Sequence, residues 1–200
     1  MITTQQKIVK TALVHLSQKG YAGISLRDIA HDVGIKAASI YNHFKGKKEL
    51  VKAVYDHIEL ILERDLLSRE KVDNSSVQVP FGSLWNEWFR EYKNQLHTDE
   101  YQNIIRLLSI EQYADNNAAR LIIEYMIERP LQIAEKICGR YIEKKSSVNE
   151  RTFAAEFFYP LFGMMHEFIL RTSHNQNTAS IEKRMKSHID FFGRLVHEQK

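Results

Sequence analysis

Residues 25–50, SLRDIAHDVGIKAASIYNHFKGKKEL, leave the chain few choices of local fold. Leu26, Ile29, Ala30 and Val33 recur at i, i+3, i+4 and i+7, a stripe that only a helix can turn to one side. Arg27, His31 and Asp32 then face outward. Ser25 stands where an N-cap belongs, with Asp28 three positions on as its capping-box partner and as a favourable charge on the helix dipole. Gly34 ends the stripe, because glycine enters the left-handed backbone at little cost where β-branched Ile35 could not. Ile35 is expected to plug the angle between this helix and the next. The second helix runs from Lys36 to about Phe44. Ala37 or Ala38, Ile40, Tyr41 and Phe44 can anchor it, which leaves Lys36, Ser39, Asn42 and His43 on a short polar face without acids. The stretch reads as a helix-turn-helix.

The order S-L-R-D-I-A, V-G-I, A-S-I-Y-N-H-F-K and K-K-E-L resembles the DNA-binding signature of the TetR family of bacterial transcription regulators. The resemblance covers residues 4–54, about a quarter of the chain, with Tyr41, His43, Phe44, Lys45 and Lys47 where the family's motif has them. It implies an all-α fold: an N-terminal three-helix DNA-binding domain at 1–47 and a larger helical ligand-binding and dimerisation domain at 48–200. It implies a cytoplasmic homodimeric repressor on an inverted-repeat operator of double-stranded DNA, released by a small hydrophobic or aromatic inducer. Carried over by position, Tyr41, His43, Lys47 and the helix start at Ser25 would contact phosphates, and Arg27, Lys36, Ala37, Ser39 and Asn42 base edges. A DNA-bound structural or cell-division factor on the same fold, without an inducer, is the alternative.

Charge agrees with that placement. Residues 1–48 hold eight basic and two acidic residues, a net +6, while the remainder carries −3. Positive charge gathered at one end suits phosphate binding, since each neutralised phosphate releases counterions. With 44% hydrophobic and 26% charged residues the composition is that of an ordinary globule. No apolar run approaches the ~18 residues of a membrane span, and the start lacks the basic and apolar regions of a signal peptide, so an intracellular protein is expected. The single cysteine, Cys138, excludes an intramolecular disulfide framework and is expected to be a buried thiol.

Ile8, Val9, Ala12, Leu13 and Leu16 predict a first helix from Thr4 to about Lys19, capped by Thr3 or Thr4 and ended by Gly20. Leu50, Val51, Val54, Ile58, Ile61, Leu62 and Leu66 predict a long helix beginning near Glu49. Residues 72–80 read as a loop, and the Asn74-Ser75-Ser76 glycosylation match inside it is expected to be idle. Helical periods return at 81–96, at 101–113 with Thr98 or Asp99 as cap, at 118 to about 145, at 150–171 and at 180–197. Pro130 predicts a kink or break after Glu128, because it lacks the N–H and clashes with the carbonyl four residues back. No stretch alternates as a strand would.

Trp85, Trp88, Tyr113, Tyr125 and Phe162 are candidate walls of a pocket for a flat organic molecule. Phe157, Leu161 and Met164 on one helix, and Met185, Ile189 and Phe192 on the last, form apolar faces that could pack inward or, as the resemblance implies, meet their copies in a four-helix dimer seam. The histidines His97, His166, His174 and His188 are dispersed without ligand spacing, and neither a glycine-rich phosphate loop nor a nucleophile elbow occurs. The reading is therefore of a chain without metal, cofactor or catalytic residues.

Overall fold

The computed structural model describes residues 2–73, 79–142 and 149–198, with side chains placed throughout these except at 69–73 and 197–198. Asn74-Ser75-Ser76, most of the expected loop at 72–80 and the expected helix end at Lys145 lie outside the described residues. Among those described, every regular element is a helix: α1 (Thr4–Gly23), α2 (Leu26–Val33), α3 (Ala37–Ile40), α4 (Lys47–Asp73), α5 (Phe81–Leu96), α6 (Asp99–Glu111), α7 (Asn116–Ile122), a π-helical turn (Ile123–Glu128), α8 (Arg129–Tyr141), α9 (Glu150–Ser173) and α10 (Ala179–Glu198). The helices gather into two units, Met1–Leu66 with His97–Met126, and Leu67–Leu96 with Ile127–Lys200.

In the first unit, α1 starts on a complete capping box: Thr3 Oγ1 accepts the Gln6 N–H at 3.2 Å and Gln6 Oε1 accepts the Thr3 N–H at 2.9 Å. Ile8, Ala12, Leu13 and Leu16 of α1, Ile29 and Ala30 of α2, and Ile40 are buried together with Leu50, Val54 and Ile58 of α4 and Ile104, Leu107 and Leu108 of α6. α1 packs on α2 and on α6, and α6 on α7. Polar bonds reinforce this apolar packing. Ser17 donates to Asn103 at 2.7 Å, Lys10 pairs with Glu100 at 2.9 Å, and Arg120 takes the Glu59 carboxylate in a two-pronged grip at 2.7 and 2.8 Å.

The second unit packs α8 on α9, α9 on α10 and α10 on α5. Its centre is aromatic. The Phe157 ring lies 4.6 Å from Trp85, 5.3 Å from Phe81 and 5.3 Å from Phe192, and Phe153 stands edge-on to Phe192 at 5.0 Å. The Tyr141 hydroxyl donates to the Val79 carbonyl, and Cys138 is buried as expected, its thiol pushed up to about 12 by that burial.

The side chains expected in the dimer seam lie largely inside the protomer. Phe157, Leu161, Met185, Ile189 and Phe192 are all buried inside the protomer and Met164 is half-buried, so their apolar faces are already covered by α5, α9 and α10. Pro130 acts as expected, with a specific outcome. α7 widens into the π-helical turn just before α8, which places Pro130 in the first turn of α8 where its missing N–H has no intrahelical partner to lose. Pro160, in contrast, is accommodated inside α9.

Candidate nucleic-acid interface

The turn between α2 and α3 closes as its sequence demands. Gly34 takes φ 79°, its N–H reaches the His31 carbonyl at 3.0 Å, and the Ile35 N–H reaches the Ala30 carbonyl at 2.9 Å, which together satisfy the last carbonyls of α2. At the other end of α2, Ser25 accepts the Arg27 N–H at 3.2 Å, so the cap is made one residue earlier than the capping box with Asp28 requires.

α3 is shorter than its sequence implied. Its α-helical part is Ala37–Ile40, and the chain continues to Phe44 through tightened turns, with N–H bonds from Ser39 to Lys36, Asn42 to Ser39 and His43 to Ile40 at 2.8, 3.2 and 2.9 Å. Bonds of this i to i−3 kind bring the period towards three residues, so Lys36, Ser39 and Asn42 fall in one row. Ile40 and Phe44 hold the element to the head, while Tyr41 is 59% exposed and turned to solvent instead of anchoring it. Arg27, Lys36, Ala37 and Asn42 are likewise exposed, and Ser25, Ser39, His43 and Lys47 are half-buried. The nine residues expected to meet DNA thus lie on α2, on α3, in the caps and turns that flank them, and at the start of α4.

Two acids near this surface, Asp32 and Glu49, are engaged. Asp32 receives His31 Nδ1 at 3.0 Å and His15 Nε2 of α1 at 2.7 Å, and those two bonds hold its carboxyl below the usual range. His15 Nδ1 is buried without a partner, so the fitting tautomer donates from Nε2 to the carboxylate. Glu49, in the first turn of α4, reaches back to the Lys45 N–H at 2.6 Å. Lys47 is also partly committed: its ammonium donates to the carbonyls of Ile24 at 3.1 Å and Ala22 at 3.4 Å and lies 4.6 Å over the Tyr21 ring. One of its three N–H donors is left over for a phosphate.

The expected pocket walls fall in both units. Trp85 is 1% exposed, with Trp88 edge-on at 4.9 Å, and Phe162 is stacked on Phe158 at 5.9 Å. The Trp85 indole N–H is buried and has no hydrogen-bond partner among the described residues. Tyr125 belongs to the first unit, where its hydroxyl donates to Glu59 at 3.1 Å and burial pushes its phenol up to about 12. Tyr113, in the turn between α6 and α7, is 96% exposed and lines no enclosed space in this conformation.

Sequence reasoning passed over Glu111, which accepts the Tyr21 N–H at 2.7 Å. A signal was present: Glu111 continues the buried stripe of Ile104, Leu107 and Leu108, and an acid on such a stripe needs a partner.

Residues 8–54 match the family described as bacterial regulatory proteins, tetR family. The biofilm operon icaADBC HTH-type negative transcriptional regulator IcaR of Staphylococcus aureus (strain Newman) is 42% identical over 62 residues, which cover 29% of this chain and 33% of that protein. The alignment therefore spans about a third of the curated relative's length. Among solved structures, a Mesorhizobium loti chain assigned to the TetR-family transcriptional regulators superposes with a TM-score of 0.68 at 19% identity, over 96% of both chains. A TetR-family transcriptional regulator from Agrobacterium tumefaciens does so with a TM-score of 0.66 at 16% identity, over 94% of this chain and 96% of that one. At these identities the structures speak for the fold.

Proposed function

The chain carries the DNA-binding domain of the tetR family of bacterial regulatory proteins, and from that premise we propose that it is a sequence-specific transcriptional repressor that binds double-stranded DNA as a homodimer. The observation that carries this reading is the acid-free row of exposed Lys36, half-buried Ser39 and exposed Asn42 along α3 and its flanking turns, set on a head with a net charge of +6. A row of polar side chains on a short element suits base edges in the major groove, with Arg27 beside it, while Tyr41, His43 and Lys47 supply phosphate contacts. IcaR is named a negative regulator, which supports repression as the direction of control. One head reaches few base pairs, so a two-fold dimer should read an inverted repeat.

The exposed apolar positions of α9 and α10 are the surfaces that fit a partner copy. Tyr159, Gly163, His166 and Leu170 follow each other by four, three and four along α9, all exposed, and Phe191 is 48% exposed on α10. A Cβ at Gly163 would meet nothing within 4 Å, so this stretch is open to close helix approach.

Control by a small molecule completes the reading. The unpartnered Trp85 N–H in its aromatic surroundings is a donor in want of an acceptor, which a flat, largely apolar ligand with one carbonyl or ether oxygen would supply. Such a ligand releases DNA only as far as it favours the non-binding conformation.

Selection of duplexes from a random pool by the full chain tests the central claim. Enrichment of an inverted repeat, lost when Asn42 and Lys36 are both replaced by Ala, is the expected result. A pool that stays random would overturn the reading. Molecules screened for release of the selected duplex should lose their effect on Trp85→Phe.

A further inference from the structure

Gly20 breaks α1 three residues before its end. At φ 64° and ψ 179° the peptide joining Gly20 to Tyr21 is swung out of the helix, so the Tyr21 N–H no longer points at the carbonyl one turn back. Its acceptor is instead supplied from ninety residues away: Oε1 of Glu111, the last residue of α6, at 2.7 Å. The fit leaves no slack. Glu111 is 8% exposed, and a Cβ placed on Gly20 would lie 2.8 Å from the same oxygen.

The far end of the same turn is held by the opposite charge. Lys47, first residue of α4, covers the Tyr21 ring and donates to Ala22 and Ile24, whose next neighbour Ser25 caps α2. An acid from α6 and a base from α4 therefore clasp the five residues through which α1 hands the chain to the DNA-facing elements. α6 is itself pinned to α1 through Ser17–Asn103 and Lys10–Glu100, and to α4 through His57, which meets Glu100 at 3.1 Å.

We propose that Glu111 is a positioning residue for DNA reading: it ties the angle at which α2 and α3 leave α1 to the position of α6. The inference rests on the DNA-binding reading above. A charge-assisted bond to a backbone N–H is strong and directional, and here it joins the end of α6 to this turn. Without it the Tyr21 N–H loses this fixed acceptor, the Lys47 anchor at the far end of the turn remains, and each head can sample a wider range of angles. In a two-headed reader that range appears as tolerance of half-site spacing.

The test uses the full chain with Glu111→Gln and Glu111→Ala. Its probes are amide exchange at Tyr21 and binding to the duplex that the wild type selects, remade with its half-site spacing shortened and lengthened by one and two base pairs. The expected results are that Tyr21 protection falls by roughly tenfold or more in Glu111→Ala and that its preference among spacings collapses. Glu111→Gln keeps an acceptor oxygen and should fall between the two on both measures. It also carries the test if the alanine variant fails to fold. A purely structural role would lower stability and leave the spacing profile intact, and that outcome overturns the proposal, as does unchanged exchange at Tyr21. A wild type that selects no DNA overturns the DNA-binding reading and this role with it. A wild type that selects DNA, beside a Glu111→Ala profile that matches it, overturns the role of Glu111 alone.

Discussion

Single side chains on the proposed DNA-facing surface divide into those that position and those that read. Lys47 has two N–H donors on backbone carbonyls and one to offer a phosphate. Lys47→Ala should therefore weaken binding to all sequences alike and lower the slope of affinity against salt by about one unit. Asn42 lies exposed in the turn that follows α3, and its replacement by Ala should relax preference at one position of each half-site by roughly 1–3 kcal/mol if its amide spans an adenine edge. Titrations of selected and mismatched duplexes over a range of salt separate the two effects. A Lys47 variant that changes sequence preference with an unaltered slope would contradict the assignment. Residue identity alone is enough to propose these roles, because charge and donor geometry travel with the side chain. The partner of Glu111 was not readable. The sequence marks a buried acid as needy, but only the backbone of Gly20 decides which N–H meets it.

At the scale of elements, starts and stops were written locally and lengths were not. Thr3, Gly34 and Thr98 act as caps where the sequence placed them, because a cap depends on neighbours within four residues. α3 is shorter than its periodicity implied: the bonds from Ser39, Asn42 and His43 close on carbonyls three residues back, while Ile40 and Phe44 stay buried in the head. The π-helical turn before Pro130 had no sequence mark beyond the proline itself. The tie of α4 to α7 adds a prediction. Hydrogen bonding from Arg120 is the main cause that holds the Glu59 carboxyl below its ordinary 4.5. A lowered folded-state value means that the contribution to stability is complete above that ordinary value and is lost as pH falls through the lowered one. Thermal unfolding should therefore show the wild type more stable than Glu59→Gln near neutral pH, with the gap closing in acid. A gap that widened on acidification would sink the assignment.

For the whole molecule, the two ends of the chain show how far periodicity can carry an argument. The amphipathic spacing of α9 and α10 identified apolar faces correctly, yet the same pattern describes a helix buried against its own chain and one buried against a copy. Phe192 and Met185 proved to be internal, and the apolar surface left outside is that of Tyr159, Leu170 and Phe191. Phe191 and Phe192 are adjacent, and this adjacency gives a sharp test. Phe192→Glu puts an unpaired carboxylate among Phe153, Phe157 and His188 and should cost at least the ~3–5 kcal/mol of a lost core phenylalanine. Against a typical total of about 5–15 kcal/mol, that variant should lose much of its helical circular dichroism. Phe191→Glu alters a side chain already 48% in water and should shift protomer stability by no more than about 0.5 kcal/mol. In the proposed dimer, however, it brings two like charges into an apolar seam across the two-fold axis. Sedimentation should then show a folded monomer for Phe191→Glu, with affinity for the inverted repeat lost and the affinity of an isolated half-site unchanged. If Phe191→Glu stays dimeric while Tyr159→Glu and Leu170→Glu do as well, the copies meet on another surface.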